Sequence, residues 1–191
     1  MMNFWNLKAP LYAISRQIWP MSAILRQETA LAAQMLESLP ALSGWGLDLA
    51  SGPGHSYSLL PSTLLRVGVD RSSAMARRCQ AKHCGRMVVA DVRRLPFKSA
   101  LFSLITAIGL TEYLPDLKPF IVEVIRIVRP QGSILLTVSP PSLYTHLRFL
   151  CGHRLKPHTL EDLVLALNRQ PLLLSAVAGL PSQELSLWQK K

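Results

Sequence analysis

The residues with the sharpest chemical meaning lie in Leu47-Asp48-Leu49-Ala50-Ser51-Gly52-Pro53-Gly54-His55, an apolar stretch that runs straight into a glycine-rich turn. Glycine has no Cβ to hold a ligand away, so such a turn brings backbone N–H groups close to whatever binds there. Asp70 follows Asp48 by 22 residues, ending Val67-Gly68-Val69, and Asp91 comes 21 residues later, ending Met87-Val88-Val89-Ala90. A carboxylate at the first place can accept hydrogen bonds from both hydroxyls of a ribose. One at the second suits the amino group of adenine. Three of the chain's 11 acids thus stand at the carboxyl ends of successive apolar runs, where open parallel sheets bind their ligands. The spacing points to a nucleoside-containing cofactor. The dinucleotide fingerprint G-x-G-x-x-G fails at its third glycine, where Tyr57 stands, and the phosphate loop G-x-x-x-x-G-K-[ST] is absent. Hydride transfer and nucleoside triphosphate chemistry are therefore disfavoured.

These residues need a sheet to hold them. From residue 44 onward short apolar runs alternate with helical stretches, which predicts strands over 45–50, 64–69, 86–90, 101–108 and 132–139 and helices over 54–60, 72–83 and 116–129. That alternation means a parallel sheet covered by helices on both faces, a doubly wound α/β fold. Further on come a helix near 142–150, a helix opened by Thr159 with Glu161 and Asp162 in its first turn, and strands at 172–177 and 184–188. Upstream, Leu25, Ala32, Met35, Leu36 and Leu39 recur at helical spacing, and Pro10 and Pro20 break the segment before them. No internal repeat or low-complexity linker divides the chain. Residues 1–43 read as an N-terminal helical lid of the same domain and 44–191 as the cofactor-binding core.

From about residue 44 to 140 the chain resembles the class I S-adenosylmethionine-dependent methyltransferases, within the methyltransferase type 11 group. The resemblance implies a Rossmann-like, seven-stranded, mostly parallel sheet with its last strand antiparallel. It also implies S-adenosyl-L-methionine as cofactor and in-line displacement of its methyl group. By the same resemblance, the segment Asp48, Ala50, Ser51, Gly52 and Gly54 wraps the methionine part, Asp70 with Arg71 binds the ribose, and Asp91 with Val92 holds adenine. Phe102 to Asp116 resembles the family's fourth motif, whose strand end, here Ile108 and Gly109, passes under the sulfonium. Leu95-Pro96-Phe97 is similar to the turn before strand four, and Val128-Arg129-Pro130-Gln131-Gly132-Ser133 to the Leu-Lys-Pro-Gly-Gly turn before strand five. There are departures: Ala50 replaces the commonest first glycine, Ser103 an Asp, Gln131 a glycine, and Tyr113 stands where His is usual. Alanine and serine are small enough to keep the close backbone approach, but no histidine base carries over. The polar candidates for a base are Glu112, Tyr113 and Tyr12. Leu136-Thr137-Val138-Ser139-Pro140 and Ala9-Pro10-Leu11-Tyr12 resemble the quinone C-methyltransferase and phospholipid N-methyltransferase branch.

Composition bounds the partners. The chain has 191 residues, 49% hydrophobic and 17% charged, enough for one ordinary domain with its own core. Its net charge of +10 favours acidic partners. Nine of the 21 basic residues fall between Arg66 and Lys98, yet Phe97 is the one aromatic residue there, whereas base selection in RNA needs stacking aromatics among the cations. Aromatics gather instead at Phe4, Trp5, Tyr12 and Trp19, suited to a lid over an acceptor or to contact with lipid headgroups. The expected acceptor is a small or lipid-like molecule, with peripheral contact at an anionic membrane. An RNA methyltransferase and a non-catalytic binding module that keeps the fold are the alternatives. Cys79, Cys84 and Cys151 are odd in number and fit a reducing compartment; with His83 and His153 they form no paired Cys-x-x-Cys knuckle, so no metal is expected. No run approaches the ~18–20 apolar residues of a spanning helix, and the N-terminus lacks a secretory pattern, so the expected location is cytoplasmic.

Overall fold

Period-two alternation in the apolar runs builds a seven-stranded sheet at the centre of the molecule. The computed structural model describes residues 21–83, 85–142, 155–167 and 170–191. In chain order the elements are α1 (Met21–Glu37), β1 (Trp45–Leu49), β2 (Leu65–Asp70), α2 (Ser73–His83), β3 (Arg86–Val89), β4 (Phe102–Ala107), α3 (Lys118–Ile127), β5 (Val128–Val138), α4 (Leu160–Leu167), β6 (Leu172–Gly179) and β7 (Glu184–Lys190). Short 3-10 turns cover Tyr57–Leu59 and Thr111–Tyr113. The strands lie in the order β3-β2-β1-β4-β5-β7-β6. β1 to β5 are parallel, and β7 enters antiparallel between β5 and β6. This is the doubly wound, mostly parallel α/β fold that the alternation predicts.

Each face of the sheet has its own core. Leu47, Leu49, Ile134, Leu136 and Val138 meet Phe120, Ile121 and Val124 of α3 and Leu163 of α4. Leu104 and Leu135 point the other way, against Ala32, Met35 and Leu36 of α1 and against Tyr57 and Leu60. The inner stripe of α1 is therefore continuous with the sheet's packing. Alternation also carries three polar side chains to the α1 face at the carboxyl ends of the central strands. Asp48 follows Gly46, Thr106 follows Leu104 and Thr137 follows Leu135, each two residues on, and Asp48 pairs in register with Thr106. At the opposite end, Lys190 of β7 donates through Nζ to the carbonyls of Ile125 and Val128 at 2.8 and 2.9 Å, capping the C-terminus of α3.

The largest departure from expectation is the missing helix over 54–60. Gly52 (φ 53°) and Gly54 (φ 96°) are left-handed, and the Ser56 side chain turns inward, so only the 3-10 turn forms. β5 starts at Val128, earlier than expected, because its first pairing is Phe102 with Val128 and the ladder resumes at Leu104 with Ser133. The residues between bulge outward through Gln131, which is left-handed at φ 63°. α4 begins as expected after Thr159, whose hydroxyl accepts from the N–H of Asp162 at 3.2 Å while the Asp162 carboxylate accepts from the Thr159 N–H at 2.8 Å. The helix expected near 142–150 and residues 1–20 lie outside the described residues, as do Cys84, Cys151 and His153. No helix among the described residues is long and apolar enough to cross a membrane.

The left-handed region costs a residue with a Cβ roughly 1–2 kcal/mol, and Gln131 occupies it on the exposed surface. Gln131→Gly should raise unfolding stability by about 0.5–1 kcal/mol, the relieved strain less the added entropy of the unfolded chain, whereas Gln131→Ala should gain nothing. Chemical denaturation of the two variants checks this, and equal stabilities would refute the strain at this position.

Candidate cofactor site

The glycine-rich turn is held from beneath by one buried carboxylate. Asp48, at the end of β1, is fully buried. Its Oδ2 accepts from Ser56 Oγ and its Oδ1 from Thr106 Oγ1, both at 2.8 Å. Ser51 Oγ donates to the Asp48 carbonyl at 2.9 Å. β1, β4 and both ends of the turn thus converge on one residue. Burial pushes its carboxyl up to about 6; the hydroxyls of Ser56, Thr106 and Ser51 pull it back, and nearby Asp70 adds to the rise. Asp48 shapes the turn from below and is not part of the surface a ligand would meet.

The turn's own N–H groups are spoken for, contrary to the expectation that they face the ligand. Ser51 N donates to Val69 O at 3.0 Å, Gly52 N to Asp70 Oδ2 at 2.9 Å and Gly54 N to Ser51 O at 2.8 Å, and Pro53 has none. A turn so bonded offers no nest for a phosphate. The two glycines also have different reasons to be glycine. A Cβ on Gly52 would find only Ala50 O, at 3.9 Å, so the space above it is open; a Cβ on Gly54 would lie 2.5 Å from His83 Cδ2 and 2.9 Å from Cys79 Sγ. Gly54 serves the packing of α2 under the turn. Ala50 adopts the left-handed conformation at φ 56°, the backbone for which glycine is the usual choice.

At the end of β2, Asp70 is buried and accepts from Gly52 N through Oδ2 and from Ser72 N at 2.8 Å through Oδ1. Burial raises its carboxyl and the two backbone N–H groups lower it. Each oxygen has further acceptor capacity, as two ribose hydroxyls require. Arg71 beside it is exposed. Past β3, Asp91 is more open. Arg93 forks onto it with Nε to Oδ1 at 2.9 Å and Nη2 to Oδ2 at 2.6 Å, and this holds its carboxyl down at about 2. Val92 is buried in the core. The Leu95-Pro96-Phe97 turn is tied to α3: Glu123 Oε2 accepts from Leu95 N at 2.7 Å, and Arg126 donates to Phe97 O at 2.7 Å while pairing with Glu123 at 2.8 Å.

A recess opens above the turn. Of the expected cofactor residues, Ala50, Ser51, Gly52, Ile108 and Gly109 line it, whereas Asp48, Gly54, Asp70, Arg71, Asp91 and Val92 do not. The Gly109 N–H donates to Thr137 Oγ1 at 2.8 Å, which fixes the end of β4 over that of β5. The base candidates are not brought there. Glu112 is fully buried in the turn after β4, where its carbonyl accepts from Lys156 N at 2.7 Å, and half-buried Tyr113 does not line the recess either. Thr111 seals this turn by donating to Thr137 O at 2.7 Å. Tyr12 lies outside the described residues. Sequence reasoning missed the wall that α1 provides, Leu25, Glu28 and Thr29. The signal was an acid on the inward stripe of an amphipathic helix.

Two outcomes follow from this geometry. Gly52→Ala should keep the melting temperature within a few degrees yet weaken cofactor binding, whereas Gly54→Ala should cost at least ~2 kcal/mol of stability through its contact with His83 and Cys79; thermal melts with and without S-adenosylmethionine separate them. The second concerns pH. Asp48 binds its proton more tightly folded (about 6) than unfolded (about 3.9), so its contribution to stability is complete below the unfolded value and is lost as pH rises through the folded one. Relative to Asp48→Asn, the native protein should therefore gain about 1 kcal/mol between pH 7.5 and pH 5. Parallel denaturation curves with no change in that difference would show that Asp48 does not titrate in this window.

Known proteins resemble this chain. Residues 47–136 match the family model described as "Methyltransferase domain". The phthiotriol/phenolphthiotriol dimycocerosates methyltransferase 1 of Mycobacterium ulcerans is 30% identical over 102 residues, 50% of this chain and 38% of that protein. An Arabidopsis thaliana tRNA (carboxymethyluridine(34)-5-O)-methyltransferase is 33% identical over 109 residues, 56% of this chain and 26% of that protein. The chain thus aligns with well under half the length of these relatives. Among solved structures, magnesium protoporphyrin IX methyltransferase from Synechocystis PCC 6803, with SAH bound, superposes with a TM-score of 0.76 at 14% identity, covering 98% of this chain and 96% of that one. Residues 47–136 thus resemble the methyltransferase-domain family, and the seven-stranded sheet with its inserted antiparallel β7 has the Rossmann-like fold of the solved methyltransferase it superposes on.

Proposed function

We propose that the chain transfers a methyl group from S-adenosylmethionine to a small or lipid-like acceptor. The observation that carries the cofactor assignment is the bonding of the turn, in which Ser51, Gly52 and Gly54 spend their N–H groups inside the protein. Such a turn suits a nucleoside without phosphates. Support for one comes from the open space above Gly52 for the methionine part and from Asp70 with unused lone pairs for the ribose; we assign the adenine to Asp91 past β3.

When bound, the cofactor supplies a methyl group already made electrophilic by the sulfonium. The chain's task is then to hold the acceptor in line and exclude water, and correct positioning is worth up to ~7–11 kcal/mol. The absence of Glu112 and Tyr113 from the recess agrees with a reaction that does not draw its base from them. For the acceptor, support comes from the relative that acts on phthiotriol dimycocerosates and from the aromatic residues Phe4, Trp5, Tyr12 and Trp19, with Tyr12 as a further polar candidate beside the acceptor. We place the protein in the cytoplasm, in peripheral contact with an anionic membrane through its positive charge. The tRNA-modifying relative makes RNA the second reading.

Asp70→Ala should weaken S-adenosylmethionine binding by about 1.5–3 kcal/mol, because the ribose hydroxyls lose a charged acceptor. Isothermal calorimetry of the native and variant proteins tests this alongside a tritiated-methyl assay on lipid, small-molecule and RNA fractions of a cell extract. Label in the lipid or small-molecule fraction with the native protein alone is the expected result. Label confined to RNA would overturn the acceptor, and an unchanged dissociation constant for a folded Asp70→Ala would overturn the ribose contact.

A further inference from the structure

The two edges of the sheet are protected very differently. At one edge β3 is four residues long and opens on exposed Arg86, and a short, charged edge discourages pairing with another strand. β6, at the other edge, is eight residues long and contains neither a charge nor a proline. β7 is its one strand partner among the described residues, so the outer row of N–H and C=O groups on β6 stands outside any ladder. The side chains agree. Of the eight large hydrophobic side chains exposed among the described residues, Leu173, Leu174 and Val177 lie on β6 and Val164 and Leu165 on α4 just before it. Leu174 stands opposite Trp188, on the face that packs against α3 and α4, and Leu173 points to the other face. A long, uncharged edge that is apolar on both sides is a template for a further extended segment.

Charge selects which segment. Gly179 pairs with Glu184, and Glu184 Oε2 accepts from Leu160 N at 3.3 Å, so Glu184 joins Glu161 and Asp162 of the first turn of α4 at that end of the edge. At the opposite end Lys190 pairs with Leu172, and the Lys191 N–H donates to Pro171 O at 2.9 Å. The edge therefore runs from acidic to basic. Residues 170–183 between these ends carry no charge, in a chain whose net charge of +10 makes its copies repel elsewhere. We propose that β6 is the interface of a two-fold dimer, in which it pairs antiparallel with β6 of a second copy and extends one sheet through both. Antiparallel pairing sets the acidic end of each copy against the basic end of the other, whereas parallel pairing aligns like charges. The contact is isologous, so it closes at two copies. Its axis passes near Ser175, midway along the strand, where the register with β7 shifts. Strand direction reverses across the axis, so the two recesses open toward opposite ends of the dimer. Each lies over β1 and β4, away from the interface.

Analytical ultracentrifugation of the full chain over a dilution series tests the dimer. Leu174→Lys and Val177→Lys, at positions already about half open to solvent, should each raise the dimer dissociation constant by about tenfold or more and leave the circular dichroism of the chain unchanged. Either variant carries the comparison if the other does not fold. Val122→Lys, which replaces an equally exposed side chain on α3, should leave the dimer as it is. Orientation is read by cross-linking: a short bis-maleimide should join copies of Ser175→Cys above the background of the native protein but not copies of Gly179→Cys, which antiparallel pairing holds roughly 20 Å or more apart. A native protein that is monomeric at every concentration overturns the proposal. So does a dimer indifferent to both β6 substitutions, or one weakened as much by Val122→Lys. Cross-linking of Gly179→Cys as efficient as that of Ser175→Cys overturns the antiparallel arrangement, and growth beyond two copies without limit overturns the closed one.

Discussion

A single carboxylate, enclosed where β1 ends, sets the shape on which the rest of the site depends. Asp48 must bind hydroxyls from Ser56 and Thr106 at once, and a carboxylate, which only accepts, can take both without choosing between them. The Thr106 bond locks β1 to β4 at the place where the chain leaves the sheet. The Ser56 bond pulls the far end of the turn back over that point, and the turn has to reverse direction within a few residues. That reversal is why Ala50, Gly52 and Gly54 are all left-handed. It is also why the segment after it winds into a 3-10 turn and not the helix its composition suggests.

The cost of this arrangement is a buried charge, visible in the rise of the Asp48 carboxyl to about 6. A gradient runs outward from it along the strand ends. Asp70 is buried but keeps two backbone N–H partners, while Asp91 is partly exposed and held down by Arg93. The three acids share a position in the strand pattern yet do different work, one bracing backbone, one able to receive ligand hydroxyls, one oriented by a neighbouring guanidinium at the exposed rim. Burial and partners together separate them, because the surroundings of each decide how much a charge there costs and what accompanies it.

That difference marks what could be read in the sequence and what could not. Strand periodicity, the alternation of strands with helices and the spacing from Asp48 to Asp70 to Asp91 are local properties, so the sheet and the line of acids at its edge are legible in the chain itself. The direction in which Ser51, Gly52 and Gly54 point their N–H groups is not local, since it depends on Val69 and Asp70 of the neighbouring strand. Nor is the reason for Gly54, which exists only because α2 brings His83 and Cys79 beneath it. The burial of Glu112 is of the same kind, fixed by the seal that Thr111 makes with β5 and by the Lys156 segment laid over its carbonyl. Glu28 is an intermediate case: its place on the stripe of α1 is plain from spacing, but that the stripe faces a recess at this level and apolar core below it requires the fold.

The wall contributed by α1 changes how the site should be understood. Its C-terminal half packs through Ala32, Met35 and Leu36 into the core beneath the turn, while its N-terminal half reaches the recess through Leu25, Glu28 and Thr29. One rigid helix therefore couples the sheet's packing to the mouth of the site. A helix anchored in this way holds its recess-facing side chains in fixed directions, so a ligand meeting that wall orders little side chain or backbone.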